Sequence, residues 1–271
     1  QKIFRRKGAD KMNIIEFDNV SKSYGDKVII KNLNLKISEG EFLTILGTSG
    51  NGKTTLLKMI NSLEKKNSGK IKILGKEIEN WNESELRKKI GYVVQSIGLF
   101  PHLTIKENIG YVLSLQKKSK EEIQAKAEEL LNLLNLPQEF LEKYPRELSG
   151  GEQQRVGLAR ALASDPKIIL MDEPFGALDE INRKNLQIQI KKLQKDFNLT
   201  IVLVTHDIEE AFYLGSKIVV MNNGNIEQIG TKEEYFYKFE SPFVKEFLGE
   251  KLRSIYITDH GISLKQLQDI K

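Results

Sequence analysis

The chain has 271 residues, 39% hydrophobic and 29% charged, enough for one large domain or two small ones. It contains no cysteine, which excludes disulfides and thiolate metal sites, and no apolar stretch approaches the roughly 20 residues of a membrane-spanning helix. Its 42 Lys and Arg against 37 Asp and Glu leave a net charge of +5; that suits an anionic surface such as the inner leaflet of a membrane, and no nucleic-acid-binding module accompanies it.

Residues 1–12 read as a tail. Arg5, Arg6 and Lys7 are followed by no apolar region, so this start is not a secretory signal. A first strand is expected over 14–20, then a turn at Tyr24-Gly25. A second strand follows over 28–37, with Leu33, Leu35 and Ile37 on one face. The apolar run 42–46 leads into a glycine-rich turn, and 56–60 continues as a helix. Short strands are expected at 71–73, ending in a turn at Leu74-Gly75, and at 91–95. Between about 97 and 164 the pattern becomes helical: Ile105, Ile109, Val112 and Leu113, then Ile123, Ala127, Leu130, Leu131 and Leu134, recur at helical spacing. The runs 168–171 and 201–204 are short and continuously apolar, as in a parallel sheet covered on both faces. A helix over about 180–197 lies between them. Asn223-Gly224 joins 218–221 to 226–229 as a hairpin. The expected fold is α/β: a phosphate-loop core with a mostly parallel sheet, an N-terminal antiparallel portion and an inserted helical subdomain.

The turn is Gly47-Thr48-Ser49-Gly50-Asn51-Gly52-Lys53-Thr54-Thr55, the spacing G-x-x-x-x-G-K-[ST] between strand and helix. Glycines let the backbone turn its N–H groups toward an anion, and the helix adds its positive dipole end. Lys53 reaches the β- and γ-phosphates, and the Thr54 hydroxyl suits Mg²⁺. Thr55 stands where a dinucleotide fingerprint has its third glycine, which excludes that reading. The strand 168–171 runs into Asp172-Glu173-Pro174. Asp172 is placed to hold Mg²⁺ directly or through water, and Glu173 to polarise an attacking water. Ser149-Gly150-Gly151 opens another helix: Ser149 can cap it, and the two glycines admit a second anion.

This set resembles the ATP-binding subunits of ABC transporters over residues 13–249. Leu148-Ser149-Gly150-Gly151-Glu152-Gln153 matches the family signature LSGGEQ. Gln95 matches the glutamine of the family's Q-loop, Asp179 the D-loop aspartate, His206 the switch histidine and Tyr24 the aromatic that stacks on adenine. Asn51 departs from the usual small residue of the phosphate loop, and Thr54 from the commoner Ser. The resemblance implies ATP and Mg²⁺, with Thr54, Gln95 and Asp172 around the metal and Glu173, Gln95 and His206 in hydrolysis. It implies a head-to-tail dimer of two copies, in which ATP lies between residues 47–55 of one and Ser149-Gly150-Gly151 of the other. The expected partners are membrane permease subunits and, indirectly, an extracellular solute-binding protein or domain, with this chain on the cytoplasmic face of the membrane.

The stretches 86–95 and 97–104 look most like the osmoprotectant branch, whose members import glycine betaine, carnitine or choline. Importers of polar amino acids share parts of the match, so another small solute stays open. So does a soluble ABC ATPase of DNA repair or translation, although the long coiled coils or paired cassettes usual there are not visible. A nucleotide-gated binding module without turnover is disfavoured by Glu173 and His206. Only about 20 residues follow Gly249, too few for the tandem CBS module that many osmoprotectant ATPases carry; residues 250–271 are expected to be a short extension.

Overall fold

The structure, a computed structural model, describes residues 12–260 and their side chains through 255. Most of the N-terminal tail, the last part of the C-terminal extension and the His260 side chain lie outside the described residues.

The elements run β1 (Asn13–Tyr24), β2 (Lys27–Ser38), β3 (Phe42–Leu46), α1 (Lys53–Ile60), β4 (Ser68–Ile73), β5 (Lys76–Glu77), α2 (Glu83–Lys88) and β6 (Ile90–Val93). Next come α3 (Ile105–Leu115), α4 (Lys120–Leu133), α5 (Gly150–Leu162), β7 (Ile168–Asp172), α6 (Glu180–Asp196), β8 (Thr200–Val204) and α7 (Ile208–Leu214). The series closes with β9 (Lys217–Asn222), β10 (Asn225–Gly230), α8 (Lys232–Tyr237) and α9 (Pro242–His260). Helix α9 crosses residue 249, where the sequence pattern places the start of the extension.

Two sheets carry the fold. One is antiparallel, in the order β2-β1-β4-β5; the other runs β10-β9-β3-β8-β7-β6 and is parallel except for β10. Strands β3, β7 and β8 are buried at every position, which is why their sequences are nearly continuous apolar runs, interrupted only by the buried Thr44, Asp172 and Thr200, rather than alternating ones. Their register aligns their carboxyl ends. Ile45 and Asp172 both pair with Val204, so β3, β7 and β8 end at one edge. The loops leaving that edge are 47–52, 173–179 and 205–207, and in a parallel sheet ligands bind beyond such carboxyl ends.

Strand β1 continues past residue 20 to Tyr24. The polar stretch after Val20 breaks the alternation, but register shifts between Asp18 and Ser21 keep the pairing, with Asn19 at a φ of +48°. The hairpin of β9 and β10 turns through Asn223 and Gly224 at φ +46° and +75°, the both-positive geometry that selects Asn-Gly.

Helices α3, α4 and α5 stand between β6 and β7 and share a core that includes Ile109, Leu130, Leu131 and Val156. Each opens with a reciprocal capping box: Thr104 with Glu107, Ser119 with Glu122, and Ser149 with Glu152. Each such cap stabilises its helix by about 1 kcal/mol.

Candidate functional site

The loop after β3 is shaped by close approach. A Cβ on Gly47 would lie 2.5 Å from Met221 O, and one on Gly52 would lie 2.9 Å from Ile29 O. Gly52 is also left-handed at φ +85° and is the N-cap of α1, with no side chain capping the helix. The first amides of α1 therefore have neither intrahelical nor side-chain acceptors, and the positive dipole end is open to an anion. Thr48, Ser49 and Gly50 are exposed at the tip, while Asn51 is buried. The Asn51 side chain serves the fold. It donates to Thr48 Oγ1 at 2.8 Å and accepts from the Asn223 N–H at 3.1 Å, which ties the loop to the β9–β10 hairpin.

Lys53 is 6% exposed and donates to the carbonyls of Gly47 at 2.7 Å and Thr48 at 2.9 Å. Burial lowers its pKa, opposed by the charges of Glu173 and Asp172. A buried cation bonded only to neutral carbonyls is well placed to gain from an arriving anion.

One residue later, Thr54 Oγ1 donates to Asp172 Oδ1 at 3.0 Å. Burial raises the pKa of Asp172; the Thr54 hydrogen bond lowers it and the neighbouring Glu173 charge raises it. A hydroxyl and a largely buried carboxylate form a hard-oxygen donor pair that fits Mg²⁺. Among the described residues no cluster of three His, Cys, Asp or Glu side chains could hold a metal. The fit therefore rests on Thr54, Asp172, the Gln95 amide and oxygens brought by a ligand.

Glu173 leaves the end of β7 at φ +46°, a left-handed conformation costing a non-glycine residue about 1 kcal/mol, while its N–H still donates to Val204 O at 2.9 Å. This turn brings its carboxylate between two other loops. Gln95 Nε2 donates to Glu173 Oε2 at 3.1 Å, and His206 Nδ1 lies 3.3 Å from the same oxygen. His206 itself is two-thirds exposed. Three residues far apart in sequence thus meet at one oxygen, beside the Thr54–Asp172 pair.

The turn carrying His206 is braced from below. Thr205 donates through its hydroxyl to Glu210 Oε2 at 2.7 Å, and Asp207 caps α7 by accepting the Glu210 N–H at 3.0 Å. Burial pushes the pKa of Glu210 up. Arg183, on α6, donates to Leu178 O at 3.2 Å and stands 3.8 Å from Glu210 Oε1. The sequence reading missed Glu210 and Arg183. The one signal available was an acid three residues into a helix capped by Asp207.

Of the remaining expected residues, Tyr24 reaches the end of the loop: burial and a hydrogen bond with Glu64 raise its pKa, and a hydrogen bond with Thr55 lowers it. Ser149, Gly150, Gly151 and Asp179 lie apart from this centre. Tyr24 sits at the β1–β2 turn, 46% exposed, with Lys22 Nζ 4.5 Å from its ring centroid. Ser149 caps α5, and its hydroxyl donates to Glu152 Oε2 at 2.8 Å. Gly150 is exposed, with open space where its Cβ would be. Asp179 caps α6, accepting the Ile181 and Asn182 N–H groups at 3.1 and 3.0 Å, and these bonds hold its pKa down. Among the described residues no hydrogen bond joins Ser149, Gly150, Gly151 or Asp179 to the loop 47–55.

Comparison with known proteins places the chain in one family. The family described as ABC transporter matches residues 30–176. The chain is 50% identical over 239 residues to the choline transport ATP-binding protein OpuBA of Bacillus subtilis, covering 88% of this chain and 63% of that protein. It thus spans less than two thirds of that relative's length. It is 44% identical over 257 residues to the glycine betaine uptake system ATP-binding protein YehX of Escherichia coli, covering 95% of this chain and 81% of that one. Among solved structures, the dimeric post-hydrolysis state of the ATP-binding cassette MJ0796, bound to ADP and Pi, superposes with a TM-score of 0.73. The identity is 39%, over 80% of this chain and 98% of that one.

Proposed function

The chain belongs to the ABC transporter family, and from that premise we propose that it hydrolyses ATP to drive solute import through separate membrane permease subunits. The observation that carries the reading is the Glu173 carboxylate, held between Gln95 and His206 beside the Thr54–Asp172 pair. In this reading the amides of loop 47–55 and the open start of α1 bind the β- and γ-phosphates, and Lys53 exchanges its carbonyl partners for phosphate oxygens. Glu173 accepts a proton from the attacking water, His206 contacts the γ-phosphate, and Gln95 orients the water from the opposite side. Thr54, Asp172 and Gln95 are the residues to hold Mg²⁺. Bound there, the metal would neutralise charge on the β- and γ-phosphate oxygens.

Tyr24 stacks on adenine from the edge of the antiparallel sheet. The second half of the site comes from another copy of the chain. The Gly150 backbone at the start of α5 is open, with Gly151 beside Asn182, and the dimeric ADP-bound cassette similar to this chain supports pairing with a second copy, which we take as head-to-tail. Asp179 then lies at the junction between the two copies. Helices α3 to α5 form a helical subdomain inserted in the core. Partners outside this chain are permease subunits and, through them, an extracellular solute-binding protein or domain, with the ATPase on the cytoplasmic face of the membrane.

The solute class is quaternary amines such as glycine betaine, carnitine or choline, supported by the choline and glycine betaine transport relatives. The test is uptake by the complex reconstituted with its own permease in vesicles, with labelled glycine betaine, carnitine, choline and a panel of amino acids. ATP-dependent uptake of a quaternary amine is expected. Uptake of amino acids alone would overturn the solute class, and uptake without phosphate release would overturn the ATPase reading.

A further inference from the structure

Two residues beyond Gln95 the backbone is strained. The Gly98 N–H donates to Ser96 O at 2.6 Å, which closes a three-residue turn on Ile97 at φ +60°. A γ-turn with positive φ is the rarer, strained form, and a β-branched residue is the least suited to its centre. Gly98 is next, in the left-handed region at φ +62°. Such a turn persists only where its surroundings hold it.

What holds it is the guanidinium of Arg160, in the last turn of α5. One of its nitrogens donates to Gly98 O at 2.6 Å and the other to Ile97 O at 3.1 Å. The planar fork thus holds two successive carbonyls with two separate nitrogens in a fixed geometry, which a single ammonium nitrogen does not reproduce. The face of Phe100 lies 5.7 Å from the guanidinium carbon. Burial alone pushes the pKa of Arg160 down, with no acid countering it. This cation is therefore committed to backbone carbonyls of the strained turn rather than to an ion pair. Helix α5 is the one that Ser149 caps, and about 15 Å of rigid helix separate its start from Arg160.

We propose that Arg160 is a positioning residue: it clamps the Ile97-Gly98 turn and so makes the place of Gln95 at Glu173 depend on the place of helix α5. The proposal rests on the ATPase reading for its consequence, while the clamp itself is independent of turnover. A shift of α5, whose start would meet the second copy's nucleotide, then moves the Gln95 loop with it.

The test compares wild type with Arg160→Ala, Arg160→Lys and the double variant Arg160→Ala/Ile97→Gly as full-length chains. Amide hydrogen exchange over 95–99 should rise about tenfold or more in Arg160→Ala, with loop 47–55 unchanged. Steady-state ATP turnover should fall about tenfold in kcat while KM for ATP stays within about twofold, because loop 47–55 is untouched. Arg160→Lys should fall between the two, and it carries the test if the alanine variant does not fold. Ile97→Gly relieves the strain and should return part of the lost kcat in the double variant. Unchanged exchange at 95–99 would overturn the clamp whatever the turnover. A loosened loop with unchanged kcat would overturn its consequence for Gln95. A wild-type chain without turnover would overturn the ATPase reading, and the exchange data would still decide the clamp.

Discussion

Replacing Glu173 by Gln removes a base and little else. The amide has the same size, and its oxygen can accept the Gln95 Nε2 hydrogen bond now made at 3.1 Å. His206 Nδ1 lies 3.3 Å from that same carboxylate oxygen, so the amide oxygen takes its place in both contacts. The left-handed backbone at residue 173 costs Gln as much as it costs Glu, and the side chain is already 24% exposed. Folding stability should therefore change by less than about 0.5 kcal/mol, as for a substitution that breaks no buried contact. Loss of a general base lowers turnover by about 10²- to 10⁴-fold. The change also removes a charge that raises the pKa of Asp172, so Asp172 ionises at least as readily as before. ATP should bind, fail to turn over, and hold two copies together. Phosphate release measures the first effect, and size-exclusion chromatography with Mg-ATP measures the second. Wild-type turnover in this variant would refute the role of Glu173 and with it the significance of the three-loop contact.

Lys53→Ala should weaken ATP binding by about tenfold or more and stop hydrolysis, since it deletes a buried cation facing the loop; equilibrium titration with a fluorescent ATP analogue checks this. Ser149→Arg should leave ATP binding by the isolated chain intact yet prevent ATP-driven dimerisation and turnover; equal loss of binding by the single chain would place Ser149 in its own subunit's site. Glu210→Gln tests the brace under His206. Burial raises the folded-state pKa of Glu210, so the folded chain binds this proton more tightly than the unfolded chain does. The stability that the proton supplies is present below the ordinary carboxylate range and lost as pH rises through the raised value. Urea denaturation should therefore show the variant gaining stability relative to wild type between acidic and neutral pH, and a constant difference would contradict the direction of the shift.

Much of this was legible in the sequence because it is local. Nearly continuous apolar runs identify β3, β7 and β8, since a strand covered on both faces has no polar side to show. The Gly47–Thr55 spacing identifies an anion loop, because strand, glycines, lysine and helix start are contiguous in the chain. The same holds for Asn223-Gly224 and for Ser149 with Glu152, where the partners lie within one turn of each other. The meeting of Glu173 with Gln95, 78 residues away, is of another kind. It depends on β6, β7 and β8 being neighbours in the sheet and ending in register, which no periodicity records. The commitment of Asn51 to the β9–β10 hairpin and the burial of Glu210 against Thr205 likewise come from packing. So does the grip of Arg160 on two strained carbonyls. A buried polar side chain must find a partner, but which partner it finds is decided by the tertiary fold, where residues distant in sequence first come within hydrogen-bonding reach.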